Sequence, residues 1–229
     1  TKVLADRNVG LENVEKGSLE IISSLDKHAT DIKDLSEEVI GMLQDPDIAY
    51  TGEYKADIDE LNKQSLDYLH ASSEFAQAFK RTPNIVAQGR SDITSSELLQ
   101  IVSSLYMHDK KVKSATAGKS KSKYLFKEAV FLCVQHIAEY AFAMIKKSAI
   151  KDLSFSIDFG DKEDDPLKIS LCCKVKKPMD ASLSDDVGSY SNFLSVAKFY
   201  AILNNGVVHR TDSEDTIEVS AIFLSRNIK

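Results

Sequence analysis

A heptad stripe over the first 44 residues constrains this chain more than any other feature. Apolar side chains fall at Leu11, Val14, Ile21, Leu25, Ile32, Leu35, Val39 and Met42, three and four residues apart once Ser18 and His28 fill the two gaps. A 3.5-residue repeat keeps one seam of a helix facing a partner. It predicts one long helix over about 8–44 with a coiled-coil or bundle face. Gly10 and Gly17 weaken its front. Asp45-Pro46 ends it, because the residue before proline is driven out of the α region. After a polar connector, Ile58, Leu61, Ser65, Tyr68, Ser72, Phe75 and Phe79 repeat the stripe and predict a second helix over about 55–80. Two such helices make a hairpin with an open apolar face. A second copy is the simplest cover, which gives a homodimeric four-helix bundle.

The stretch 81–90 contains Pro83 and Gly89 and reads as a boundary, dividing a hairpin domain over 1–82 from a second domain over 83–229. Thr94-Ser95-Ser96-Glu97 has the spacing of a capping box and opens a short helix over about 98–107. The segment 112–117 suits a strand, and about 122–147 reads as a helix apolar on most of its surface. Leu153, Phe155, Ile157 and Phe159 alternate with polar residues, as do Leu167, Ile169 and Leu171, so two strands are expected with a turn at 161–166. A polar loop covers 176–186. A helix over about 187–204 stops at Asn205-Gly206, with the glycine suited to a left-handed cap, and strands at 207–210 and 216–224 close the chain. The predicted class is α+β: a helical hairpin, then an α/β sandwich with helices on one face of a mixed sheet.

Composition excludes several partners. The net charge is −6, which lacks the basic footprint that nucleic acid requires. The longest apolar stretch, near 131–145, is interrupted by Gln135, His136 and Glu139, so no bilayer span is expected, and the first residues carry no charged-then-apolar leader. Cys133, Cys172 and Cys173 form no C-x-x-C pair and read as reduced core residues of a cytoplasmic protein. No two histidines have metal-ligand spacing, and the Walker pattern fails because Lys113 stands where Gly118-Lys119-Ser120 would need its first glycine.

The order of elements resembles the core of sensor histidine kinases. Residues 91–107, SDITSSELLQIVSSLYM, look like the linker and first helix of the ATP-binding-type domain. Residues 124–142, YLFKEAVFLCVQHIAEYAF, look like the helix carrying its asparagine box, and 187–224 like its closing helix and hairpin. The departures concern the nucleotide. His136 and Tyr140 stand at the two asparagine positions, KKPMDASLSDD replaces the first glycine box, and only Gly188 remains of the second. Phosphates need backbone able to approach closely, so no productive ATP binding is expected. In this the chain is similar to the ChpT-type histidine phosphotransferases, dimers with a kinase-like hairpin and a degenerate ATPase-like domain.

That resemblance implies a cytoplasmic phosphorelay protein, passing a phosphoryl group between the receiver domains of response regulators. It points to His28 on the first helix as the phospho-acceptor. Neutral imidazole is nucleophilic near pH 7, which suits the role. Lys27 or Lys33 would steady the phosphoryl oxygens, and Asp31, one turn on, would orient the ring. The receiver would bring Mg²⁺, and the chain would need no cofactor of its own. Ala29 and Lys33 depart from the residues that usually flank the family histidine. A histidine in a heptad seam also suits plain packing, so a non-catalytic dimeric scaffold stands as the alternative, with an ATP-dependent kinase core third. His70, on the second helix, is the remaining candidate acceptor.

Overall fold

The computed structural model describes residues 2–44, 55–106, 112–118, 122–146, 150–175, 187–213 and 215–224. In chain order the elements are α1 (Lys2–Gln44), α2 (Lys55–Gln88), β1 (Ser91–Thr94), α3 (Ser95–Tyr106), β2 (Val112–Ala117), β3 (Ser122–Leu125) and α4 (Lys127–Lys146). They continue with β4 (Ile150–Asp158), β5 (Leu167–Val175), α5 (Val187–Leu203), β6 (Val207–Asp212) and β7 (Thr216–Phe223). The fold is α+β with a mixed sheet. Its strand order is β2-β4-β5-β7-β6, with β2 parallel to β4 and the other pairs antiparallel.

Alternation builds the sheet's inner face. Register aligns Leu153, Cys173 and Ile217 in one row, Phe155, Leu171 and Val219 in the next, and Ile157, Ile169 and Ala221 in a third. All nine side chains are buried in one core cluster. The intervening residues face outward, where Ser170 Oγ and Ser220 Oγ share a 2.8 Å hydrogen bond. Helices α4 and α5 pack against each other, and both touch the sheet. Cys133 and Cys173 are buried and Cys172 half-buried, all three as free thiols.

Helix α5 is buried over most of its described part, and Ser195, Lys198 and Ile202 form a half-exposed edge. Val196, Ala197, Phe199, Tyr200, Ala201 and Leu203 are all buried, because α4 lies on one side and the hairpin on the other. A helix covered on two sides belongs in an interior, with its polar residues kept to the remaining edge. Its exit differs from the sequence expectation. Asn205, not Gly206, takes the left-handed conformation, with φ 52°. Gly206 closes the helix by donating its N–H to Ala201 O at 2.8 Å. It must lack a side chain because a Cβ there would sit 2.7 Å from Ile222 O. Asn204, fully buried, ties this corner to α4: its Oδ1 accepts from Phe126 N at 2.7 Å and its Nδ2 donates to Phe126 O at 3.2 Å.

Two further expectations are corrected. Helix α2 runs through Pro83 to Gln88 instead of stopping near 80. Thr82 and Ile85 continue the buried stripe of Ala71, Phe75 and Ala78, and that packing offsets the roughly 3 kcal/mol cost of an interior proline. Residues 122–125 form a strand, paired with β1, and α4 begins only at Lys127. The pair has a reason: Ile93, Lys123 and Leu125 point inward together. Lys123 is buried, and its ammonium donates to Lys162 O at 2.9 Å and Glu163 O at 2.7 Å, pinning the β4–β5 turn. Burial lowers its pKa, and Asp165, Asp164, Glu163 and Asp158 oppose that shift. The expected 176–186 loop lies outside the described residues.

The capping box forms as the spacing requires. Thr94 N donates to Glu97 Oε2 at 2.9 Å, and Glu97 N donates back to Thr94 Oγ1 at 3.3 Å. Lys127 binds the other carboxylate oxygen. Its hydrogen bond, then those from Thr94, hold Glu97 at about 2, below the ordinary 4.5. A depressed carboxyl pKa adds stability that is present above the ordinary value and is lost as pH falls toward the folded one. The pair is about a third exposed, so water screens it. Glu97→Gln keeps the box without the charge. It should cost roughly 1 kcal/mol at pH 6, and the difference from wild type should vanish near pH 2, as read by urea unfolding across that range.

Candidate functional site

Helix α1 carries the residues proposed for phosphotransfer. Lys27, Ala29, Thr30, Asp31 and Lys33 are exposed. His28 lies between them on the helix, but its side chain is outside the described ones. At 100° per residue, Lys27 and Asp31 fall within about a quarter turn of position 28, whereas Lys33 falls about 140° around. The Lys33 ammonium stands 3.7 Å from Glu37, a pair exposed on both sides and therefore weak. The helix thus brings Lys27 and Asp31 to one side of position 28 and gives Lys33 a different neighbour.

The second place of interest is the face of α4 at His136 and Tyr140, where the asparagines of a nucleotide site would project. It is closed. His136 is buried and lies flat against Tyr200, with ring centroids 5.9 Å apart and planes 15° off parallel. Phe193 covers it at 6.4 Å, and His70 of α2 meets Phe193 edge-on at 5.8 Å. The His136 Nδ1 approaches Glu139 Oε2 to 3.1 Å, one turn along α4, without the geometry of a hydrogen bond. Burial opposes ionisation of Glu139, but His136 and Gln135 outweigh it and hold its carboxyl below the usual value.

Tyr140 is buried, and its hydroxyl has no hydrogen-bond partner among the described residues. Burial pushes its pKa up to about 12, against the influence of Arg210, whose guanidinium lies 5.9 Å from the ring centre. Tyr200 is likewise raised to about 12 by burial. A phosphate with Mg²⁺ needs approachable backbone N–H groups and an oxygen ligand on this face. Rings and a buried imidazole fit neither. Among the described residues no group of His, Cys, Asp and Glu is placed to hold a metal ion.

Sequence reasoning put His136 at an asparagine position and His70 on the second helix, and of these the first is buried and the second exposed. It did not anticipate that Phe193 and Tyr200 would cap His136. The signal was their spacing of seven on an apolar helix, which puts two rings on one face. His209 is exposed on β6. A cavity of about 270 Å³ opens elsewhere, lined by Ile85, Gln88, Gly89, Ser91, Lys127, Glu128 and Phe131. No described helix is long and apolar enough to cross a membrane.

Comparison with known proteins returns distant likenesses. No family model matches the chain, and no curated protein matches it. Among solved structures it is similar to the Acinetobacter baumannii histidine kinase AdeS, with 9% identity over 89% of this chain and 98% of that one and a TM-score of 0.47. It is similar to the ATP binding domain of PrrB from Mycobacterium tuberculosis, with 10% identity over 60% and 98% and a TM-score of 0.45. It is also similar to the catalytic domain of the histidine kinase ThkA, with 9% identity over 59% and 95% and a TM-score of 0.42. The fold of this chain stands on its own strand order and register.

The closed α4 face makes a measurable prediction. Tyr140→Phe removes an unpaired buried hydroxyl and should leave stability unchanged or raise it by up to about 1 kcal/mol. His136→Ala opens a hole between Phe193 and Tyr200 and should cost about 2–3 kcal/mol. Urea unfolding at pH 7 distinguishes the two.

Proposed function

We propose that this chain is a two-component signalling protein, a histidine phosphotransferase that relays a phosphoryl group between receiver domains through His28 and does not bind ATP. The observation that carries this reading is the contrast between two surfaces. The α4 face is buried at Tyr140 and at His136, where Phe193 and Tyr200 cover the ring, while α1 around position 28 exposes Lys27 and Asp31. The kinase-like order of elements and the absent glycine boxes support the same reading.

In the proposed step, neutral His28 Nε2 attacks the phosphorus of a receiver's phosphoaspartate. The N–P bond forms as the aspartyl O–P bond breaks, and the carboxylate leaves with its electron pair. The ring keeps its Nδ1 proton and becomes cationic, and Asp31, one turn on, would accept that N–H. Lys27, and Lys33 if it leaves Glu37, would offset charge on the phosphoryl oxygens. The reverse step hands the group to a second receiver, and Mg²⁺ arrives with the receivers. The hairpin over 1–82 then serves phosphotransfer, and 83–229 serves docking and packing.

The reading includes a homodimer. Helix α5 covers one side of the hairpin, at Gly17 and Phe79. Ile22 and Ile40 on α1 stay exposed about five turns apart on one face, as do Leu66 and Leu69 on α2. A second copy covering these residues completes a four-helix bundle.

Two experiments test the proposal. Incubation with a phosphorylated receiver and Mg²⁺ should give acid-labile, base-stable label on the wild type and none on His28→Ala. Label that persists in the variant sinks His28. No label with any receiver leaves the scaffold reading, and micromolar ATP affinity favours a kinase. Leu66→Glu combined with Leu69→Glu should turn a dimer into a monomer by sedimentation equilibrium, with the circular dichroism spectrum unchanged.

A further inference from the structure

Three observations meet on α5, all independent of the phosphotransfer reading. The first is a close approach. Phe199, fully buried, lies so near α1 that a Cβ on Gly17 would stand 2.6 Å from its Cδ2. The second is a buried polar tie four residues earlier on α1. Asn13 Nδ2 donates to Leu203 O at 3.0 Å, satisfying a carbonyl in the last turn of α5 that the helix itself leaves open. The third comes from α2: Phe79 packs on Phe199 with ring centroids 5.5 Å apart. Ile21, Ala71, Phe75 and Ala78 of the hairpin belong to the same core cluster as α4, α5 and the sheet.

We infer that α5 is a bolt holding the hairpin and the sandwich in one fixed orientation, so that the two parts move as a single body. A mobile junction between domains is more polar and separable. Here α5 has apolar residues on the side toward α1 and on the side toward α4, and withdrawing the hairpin would bare Phe199. Close-packed interiors hold discrete arrangements and resist continuous sliding. Gly17 is the positioning residue, because any side chain there collides with the ring that α5 inserts. The glycine that weakens α1 in isolation is what lets α5 reach it.

Hydrogen exchange on the full-length chain, resolved by peptide mass spectrometry, tests this. In the wild type, peptides covering 13–25 and 196–203 should exchange in the same slow class. Gly17→Leu should speed both together by about tenfold or more, leaving β5 and β7 peptides unchanged. The pair Gly17→Leu with Phe199→Ala makes room for the new side chain and should restore protection in both. Wild-type 13–25 exchanging about a hundredfold faster than 196–203 overturns the inference, as does Gly17→Leu loosening α1 while α5 stays protected. Should Gly17→Leu also release β5 and β7, Asn13→Ala decides by the same pattern, since it removes the tie to Leu203 without adding volume.

Discussion

The contact between Phe199 and the bare backbone of Gly17 is the one on which the rest of the arrangement depends. Burying an aromatic ring of this size contributes roughly 2–3 kcal/mol, and the ring reaches its place only because α1 offers no side chain there. From that point the packing runs two ways. Toward the hairpin it passes through Phe79 to the stripe of α2. Toward the sheet it passes through Tyr200 to His136 and α4. The polar ends are tied as well, Leu203 O to Asn13 and Asn204 to Phe126, so α5 is fastened to both neighbours at its C-terminal corner.

This packing shapes the chemistry available to the chain. A helix wedged between α4 and the hairpin presents aromatic faces to both, and Phe193 and Tyr200 fill the space beside His136. Nucleotide chemistry would require that space to be open and lined with oxygen and amide groups. What remains open is the flank of α1 beyond the bolt, where Lys27 and Asp31 beside position 28 reach solvent. The proposed relay needs only an exposed imidazole and modest electrostatic help, since a receiver domain supplies the metal and the in-line geometry.

Much of the local structure was legible. The strands at 153–159 and 167–173 follow from strict alternation, the capping box at Thr94 and Glu97 from its three-residue spacing, and the two hairpin helices from their heptads. The misses have particular causes. Pro83 reads as a stop, and tertiary packing of Thr82 and Ile85 overrode it. Residues 122–125 read as the start of a long apolar helix because Leu125 and Phe126 suit either period. Only the pairing of Lys123 with Ile93 and the reach of its ammonium to the β4–β5 turn chose the strand. The Asn205-Gly206 stop was located correctly, but the left-handed residue is the asparagine, because the glycine is needed where Ile222 O approaches.

The sequence alone determined the two hairpin helices, the alternating strands at 153–159 and 167–173, and which faces of these elements are apolar. Those properties are local, set by spacing of 3.5 or 2 and by residue identity. The tertiary structure decided what each apolar face meets. The open face of a hairpin is the same in sequence whether a second copy or its own chain covers it. Here α5 takes one side, at Asn13 and Gly17, and leaves Ile22, Ile40, Leu66 and Leu69 on the other. The sealing of His136 was equally beyond sequence, because it arises from contact between rings more than fifty residues apart, a consequence of how three helices pack and not of any one of them.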